Sequence, residues 1–136
     1  MRLPDFEKQF ILRTGAFNTG IGAILLQEES GVKHPVALAS RKLLTSESHC
    51  STIEKECLAT VWAIQKFQNF LYGKEFILET DHLPLLDLGK AQYGQNGRLM
   101  RWALVLQQYQ FTLRAIKGSE NVGADFLSRH SVTCDV

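Results

Sequence analysis

An α/β fold built on a five-stranded mixed sheet, with helices packed on both of its faces, is predicted by three observations. Three apolar stretches near the N-terminus are joined by short polar links. A long, well-capped helical pattern follows them. Two more strand-like stretches then alternate with further helical segments.

Phe10 to Thr14 alternates loosely, Ile21 to Gln27 is a longer apolar run, and Pro35 to Ser40 is a third. Between them lie Asn18-Thr19-Gly20 and Glu28-Glu29-Ser30-Gly31, polar turn chemistry on links short enough for an antiparallel meander. Ser51-Thr52-Ile53-Glu54 has the form of a capping box, and Ile53, Cys57, Val61, Ile64, Gln68 and Leu71 keep helical spacing behind it. This predicts a helix from Thr52 to Leu71. Tyr72-Gly73 stops it, glycine being suited to the left-handed residue after a helix, and Glu75 to Thr80 alternates as a fourth strand ending at Asp81. Pro84 opens a short helix through Leu88, residues 89–97 form a loop, and Arg98 to Gln107 is helical, with Leu99, Trp102, Ala103 and Leu106 on its apolar side. Phe111 to Ile116 is a fifth strand, Lys117 to Glu120 a turn, and Asn121 caps a last helix to Arg129, giving the order βββαβαβα.

A chain of 136 residues, 45% hydrophobic and 21% charged, suits one domain, placed at residues 10–130. Residues 1–9 read as an extension from an upstream region of a longer chain, and 131–136 as a tail. With 15 Lys+Arg against 14 Asp+Glu the formal charge is +1, so no overall field draws in polyanions or membranes. Cys50, Cys57 and Cys134 lack disulfide-framework or zinc spacing, which favours a reducing, intracellular setting, cytoplasmic or nuclear. There is neither a signal-peptide pattern nor an apolar run near the roughly 18 residues of a membrane helix.

Ligands of open α/β sheets bind at strand ends, which directs attention to Asp81, after strand four, and Asp125, in the first turn of the last helix. In the long helix Glu54 and Glu56 flank the apolar stripe at similar angles, and periodicity does not choose between them. Glu54 is occupied by the capping box, leaving Glu56 freer for chemistry. Taken singly, each is most simply a solvated carboxylate. Trp62 and Trp102 sit on apolar stripes and read as core; His82 reads as a structural hydrogen-bonding residue, and His34, His49 and His130 show no ligand spacing.

Several blocks resemble, in order, the ribonuclease H domain of Ty3/gypsy-type retrotransposon polyproteins. They are Ile21-Gly22-Ala23-Ile24-Leu25, His34-Pro35-Val36-Ala37 with Ser40-Arg41-Lys42-Leu43, Ser51 to Ala59, and Thr80-Asp81-His82. Asn96-Gly97-Arg98-Leu99, Lys117 to Val122 and Ala124 to Arg129 continue the likeness to nearly the whole chain. The resemblance implies the ribonuclease H-like fold and an endonuclease that cuts RNA in RNA–DNA hybrids, attached to an upstream reverse transcriptase domain. It implies Mg²⁺, or Mn²⁺, as cofactor: two ions about 4 Å apart, held by four carboxylates. Carried over residue by residue, three of those acids fall on Glu56, Asp81 and Asp125.

The fourth does not. The family's Thr-Asp-Ala-Ser at the end of strand one is here Thr14-Gly15-Ala16-Phe17, so the ligand shared by both metals is absent. The resemblance therefore implies weak or absent metal binding and a catalytically inactive domain; a purely structural account stands beside it, with Gly15 a flexible end-of-strand residue and Phe17 an apolar cap over the vacated space. Two alternatives stand beside this: a residually active Mg²⁺/Mn²⁺ endonuclease, and a non-catalytic module binding nucleic acid or a protein partner. In the nucleic-acid case Arg13, Lys42, Arg98, Arg101, Arg114 and Lys117 are the candidate phosphate contacts.

Overall fold

The computed structural model describes residues 3–80 and 97–116. Strands β1 (Phe10–Ala16), β2 (Gly20–Glu29) and β3 (Val32–Lys42) form the expected antiparallel meander. Ser30 and Gly31, with φ of 54° and 80°, make the two-residue turn between β2 and β3, both centres left-handed as a tight hairpin with right-twisted strands requires. After β3 come α1 (Thr45–Ser48), α2 (Thr52–Lys66), α3 (Gln68–Leu71), β4 (Glu75–Thr80), α4 (Gly97–Leu106) and β5 (Gln110–Ala115).

The sheet order is β3-β2-β1-β4-β5, with β4 parallel to both β1 and β5. The chain adds strands on one side of β1, then crosses over and adds them on the other. The carboxyl ends of β1 and β4 therefore flank the point where strand order reverses, the usual place for a ligand in such a sheet.

Alternation divides the sheet's residues between two faces. Phe10, Leu12, Leu25, Ala39, Phe76 and Leu78 join Cys57, Val61, Ile64, Phe67, Leu71 and Leu106 in the main core, with Trp62 and Trp102 packed at its margin. Ile11, Ile24 and Leu26 form a second cluster on the opposite face, against Leu38 and Ile77. Each fully buried aliphatic or aromatic side chain contributes about 1.5–3 kcal/mol, so the main core carries most of the stabilisation.

The capping box of α2 is present in both directions. Ser51 Oγ accepts the Glu54 N–H at 3.3 Å, and Glu54 Oε1 accepts the Ser51 N–H at 3.2 Å. Gly73, at φ 77°, occupies the left-handed position foreseen for it.

The long helix departs from expectation by bending at Phe67 (φ −104°, ψ 22°), which separates α2 from α3; both Phe67 and Leu71 are fully buried across the bend. Helix α1 was not foreseen. Its Glu47 carboxylate accepts the Leu44 N–H at 2.8 Å and clasps Arg41 of β3 at 2.7 and 2.9 Å, a fork that holds the Glu47 carboxyl below its usual range. Among the described residues α2 and α4 lie on the main-core face. The helices expected over Pro84–Leu88 and Asn121–Arg129 fall outside the described residues.

Candidate active site

The carboxyl end of β1 is joined to α2 by a pair of threonines. Thr14, fully buried, points toward the helix, where its hydroxyl lies 3.4 Å from that of Thr60. Thr60 Oγ1 also donates to the backbone carbonyl of Glu56 at 3.0 Å. Glu56 therefore stands one turn from a residue that touches β1 immediately before Gly15. It is 7% exposed, whereas Glu54 closes the helix cap and lies 3.5 Å from Arg98. The ambiguity left by helical period resolves in space: Glu56 turns inward and Glu54 serves the cap.

Gly15 is buried and opposite Gly22 in the β1–β2 ladder, so two residues without side chains face each other where the strand ends. Phe17 follows one residue beyond the end of β1. It remains 37% exposed at the β1–β2 turn, where its N–H bonds the Gly20 carbonyl at 2.8 Å. On the other side of β1 the register Arg13↔Glu79 brings Thr80, buried at the last position of β4, level with Thr14; its carbonyl accepts the Ile116 N–H at 2.9 Å. Asp81 follows Thr80 in the chain, and it, Asp125 and Lys117 lie outside the described residues.

The basic candidates occupy different places. Arg13 is directed to Glu79, which accepts from its Nε at 3.1 Å and its Nη2 at 2.8 Å. Lys33 and Arg114 reach the other Glu79 oxygen at 2.8 and 3.3 Å, so one carboxylate ties together β1, β3, β4 and β5. Glu79 is fully buried, and burial opposes its charge. The hydrogen bonds and charges of Lys33 and Arg13 outweigh that penalty and hold its carboxyl below the ordinary range. This hub sits on the face of Ile11 and Ile77, away from α2 and α4. Arg98 and Arg101 are exposed on α4, Arg98 bonding Cys50 and Glu54; Lys42 is exposed at the far end of β3.

Glu79 escaped the sequence reading. Its signal was the alternation itself, which places it beside Ile77 on an inward face where a lone acid needs counter-charges. Cys57, next to Glu56, is fully buried, and burial pushes its thiol up to about 12.

A family model described as "RNase H-like domain found in reverse transcriptase" matches residues 5–109. The chain belongs to this family of RNase H-like domains. It is 44% identical over 129 residues to the retrovirus-related Pol polyprotein from transposon 297 of Drosophila melanogaster, covering 95% of this chain and 12% of the polyprotein. It is 41% identical over 133 residues to that from transposon gypsy of the same organism, covering 97% and 12%. The RNase H-like domain thus spans about an eighth of these relatives.

Among solved structures it resembles LC11-RNase H1 in complex with RNA/DNA hybrid (TM-score 0.68, 17% identity, 91% of this chain and 96% of that one). It also resembles the foamy viral protease-reverse transcriptase dRH in complex with double-stranded DNA (TM-score 0.70, 18% identity, 86% and 21%). These likenesses show the fold, and with the family match they bear out the predicted RNase H-like architecture.

At the end of β1 this RNase H-like domain presents Thr14-Gly15-Ala16-Phe17, without a carboxylate, while the candidate acids Asp81 and Asp125 lie outside the described residues. Hard cations take oxygen ligands, Gly15 offers no side-chain oxygen, and the Thr14 hydroxyl is turned to Thr60. Among the described residues no three His, Cys, Asp or Glu side chains converge as metal ligands.

Proposed function

We propose that this RNase H-like domain of a retrotransposon Pol polyprotein does not cleave RNA–DNA hybrids. The reading rests on Gly15: the strand end nearest Glu56 carries a glycine paired with a glycine, where two-metal hydrolysis needs a carboxylate shared by both ions. Changing a residue that merely supports a metal ligand typically costs 10- to roughly 100-fold, and loss of a shared ligand costs more. With Glu56, Asp81 and Asp125 as the remaining acids, any Mg²⁺ or Mn²⁺ is held weakly.

The hybrid remains the ligand class best supported. LC11-RNase H1 is a fold neighbour described in complex with such a hybrid, and Lys42, Arg98 and Arg101 are exposed for phosphate contact. The decisive experiment compares cleavage of a labelled hybrid by this chain and by Gly15→Asp, in Mg²⁺ and in Mn²⁺. The parent is expected to be silent and the variant active. Cleavage by the parent at the rate of the variant would refute the proposal. A silent variant that still binds hybrid would extend the defect beyond this one ligand.

A further inference from the structure

The row of the sheet that holds Gly15 ends in an orphaned hydroxyl. Gly15 of β1 pairs with Gly22 of β2, and Gly22 pairs on its other side with Ser40 of β3. Residues paired in this way share a face, and Ser40 follows Leu38 by two, which places the row on the face of Ile24 and Leu38. Ser40 is 3% exposed, and its Oγ has no hydrogen-bond partner among the described residues. Buried polar groups are nearly always bonded, because an orphan forfeits its hydration without return. The neighbouring row does not supply the bond: its charged members Arg13 and Arg114 are directed to Glu79. Nor does packing explain the hydroxyl, since alanine fills nearly the same space without the desolvation cost.

We infer that Ser40 is a positioning residue for a metal-binding carboxylate at position 15, and that glycine at that position has orphaned it. The inference rests on the reading of Gly15 as a lost metal ligand. Neighbouring strands lie about 4.8 Å apart, so positions 15 and 40 are separated by roughly 10 Å across Gly22. A carboxylate leaning in from one side and a hydroxyl from the other reduce that span to about the width of one bridging water. Gly22 keeps the span open, because any side chain there would project from the same face between them. Glycine inside a strand gives up packing and often marks a place where another group comes close. A hydroxyl bonded through water to one carboxylate oxygen steers the other toward a cation, the service that outer partners give to metal-ligating carboxylates. The orphaned hydroxyl, the glycine beside it and the glycine at the strand end then share one cause.

Two substitutions, made singly and together, test this. In the parent chain Ser40→Ala removes an orphan and should raise the midpoint of urea unfolding. In the Gly15→Asp background the same change removes a partner and should lower the midpoint. A serine that merely fills space would shift both backgrounds alike. Mn²⁺ affinity, read from the electron-spin resonance signal of the free ion, is the second measurement. Gly15→Asp should bind Mn²⁺ more tightly than the parent, and adding Ser40→Ala should weaken that binding about tenfold. A lower urea midpoint for Ser40→Ala in the parent would overturn the inference by showing a bonded hydroxyl, and this arm does not depend on the folding of Gly15→Asp. Equal Mn²⁺ affinity with and without Ser40→Ala in the Gly15→Asp background would also overturn it, while leaving the reading of Gly15 in place. A Gly15→Asp chain that binds Mn²⁺ no better than the parent removes that reading and the inference together.

Discussion

The two ends of β1 are built on opposite terms. At the Phe10 end, the rings of Phe6, Phe10 and Phe70, the buried Gln27 amide and Lys74 hold the segment before β1 through contacts that need no metal. At the Ala16 end stand a glycine pair, a threonine pair and Glu56. On the proposed reading of Gly15, the difference teaches that the scaffold of a metal-dependent site and its ligands are separable. Helix cap, core and sheet register persist beside a position with no ligand, and removing a carboxylate from an acidic cluster relieves repulsion.

The sharpest way to break this contrast is Gly15→Asp. Hybrid cleavage should rise at least about 100-fold above the parent, measured by product release at fixed Mg²⁺. The same variant should melt at a lower temperature without metal and recover with it, since the new charge repels Glu56 until a cation binds. A change at the other end acts on stability alone: Phe10→Ala should cost about 4 kcal/mol in urea unfolding.

Next in size comes Glu79→Leu, which strands Arg13, Lys33 and Arg114 and should cost about 3 kcal/mol, toward the low end for a broken buried pair because Lys33 and Arg114 keep partial access to water. The folded pKa of Glu79 lies below its unfolded value near 4.3, so its stabilisation is complete above that value. It is lost as pH falls through the folded pKa. Melts from pH 7 to 3 should therefore show an acid decline that Glu79→Leu largely lacks. The smallest effect is Ser51→Ala, about 1 kcal/mol from the helix cap, read in the same urea titration.

Features set by neighbours in sequence were legible in sequence. The meander follows from short polar links, α2 begins at a capping box only four residues long, and Gly73 occupies the left-handed turn foreseen for it. What depends on distant partners was not. Arg13, Lys33 and Arg114 stand 66, 46 and 35 residues from Glu79, and no local pattern announces that they share its carboxylate. Arg13, in sequence a candidate phosphate contact, has its guanidinium on Glu79. The bend at Phe67 answers to core packing, and α1 is too short to show periodicity. At the candidate site, helical period left Glu54 and Glu56 equivalent, and the Thr14–Thr60 contact distinguished them. Gly15 needed no structure to be noticed, only comparison with a family pattern.

Cys57 gives this domain a built-in timer. A thiol raised to about 12 and sealed between α2 and the sheet has almost no thiolate to offer an alkylating reagent. Once the layers part, the same thiol returns to ordinary reactivity. The rate at which this residue gains the mass of a label therefore counts how often the helix lifts from the strands, next door to Glu56 and without any engineered probe.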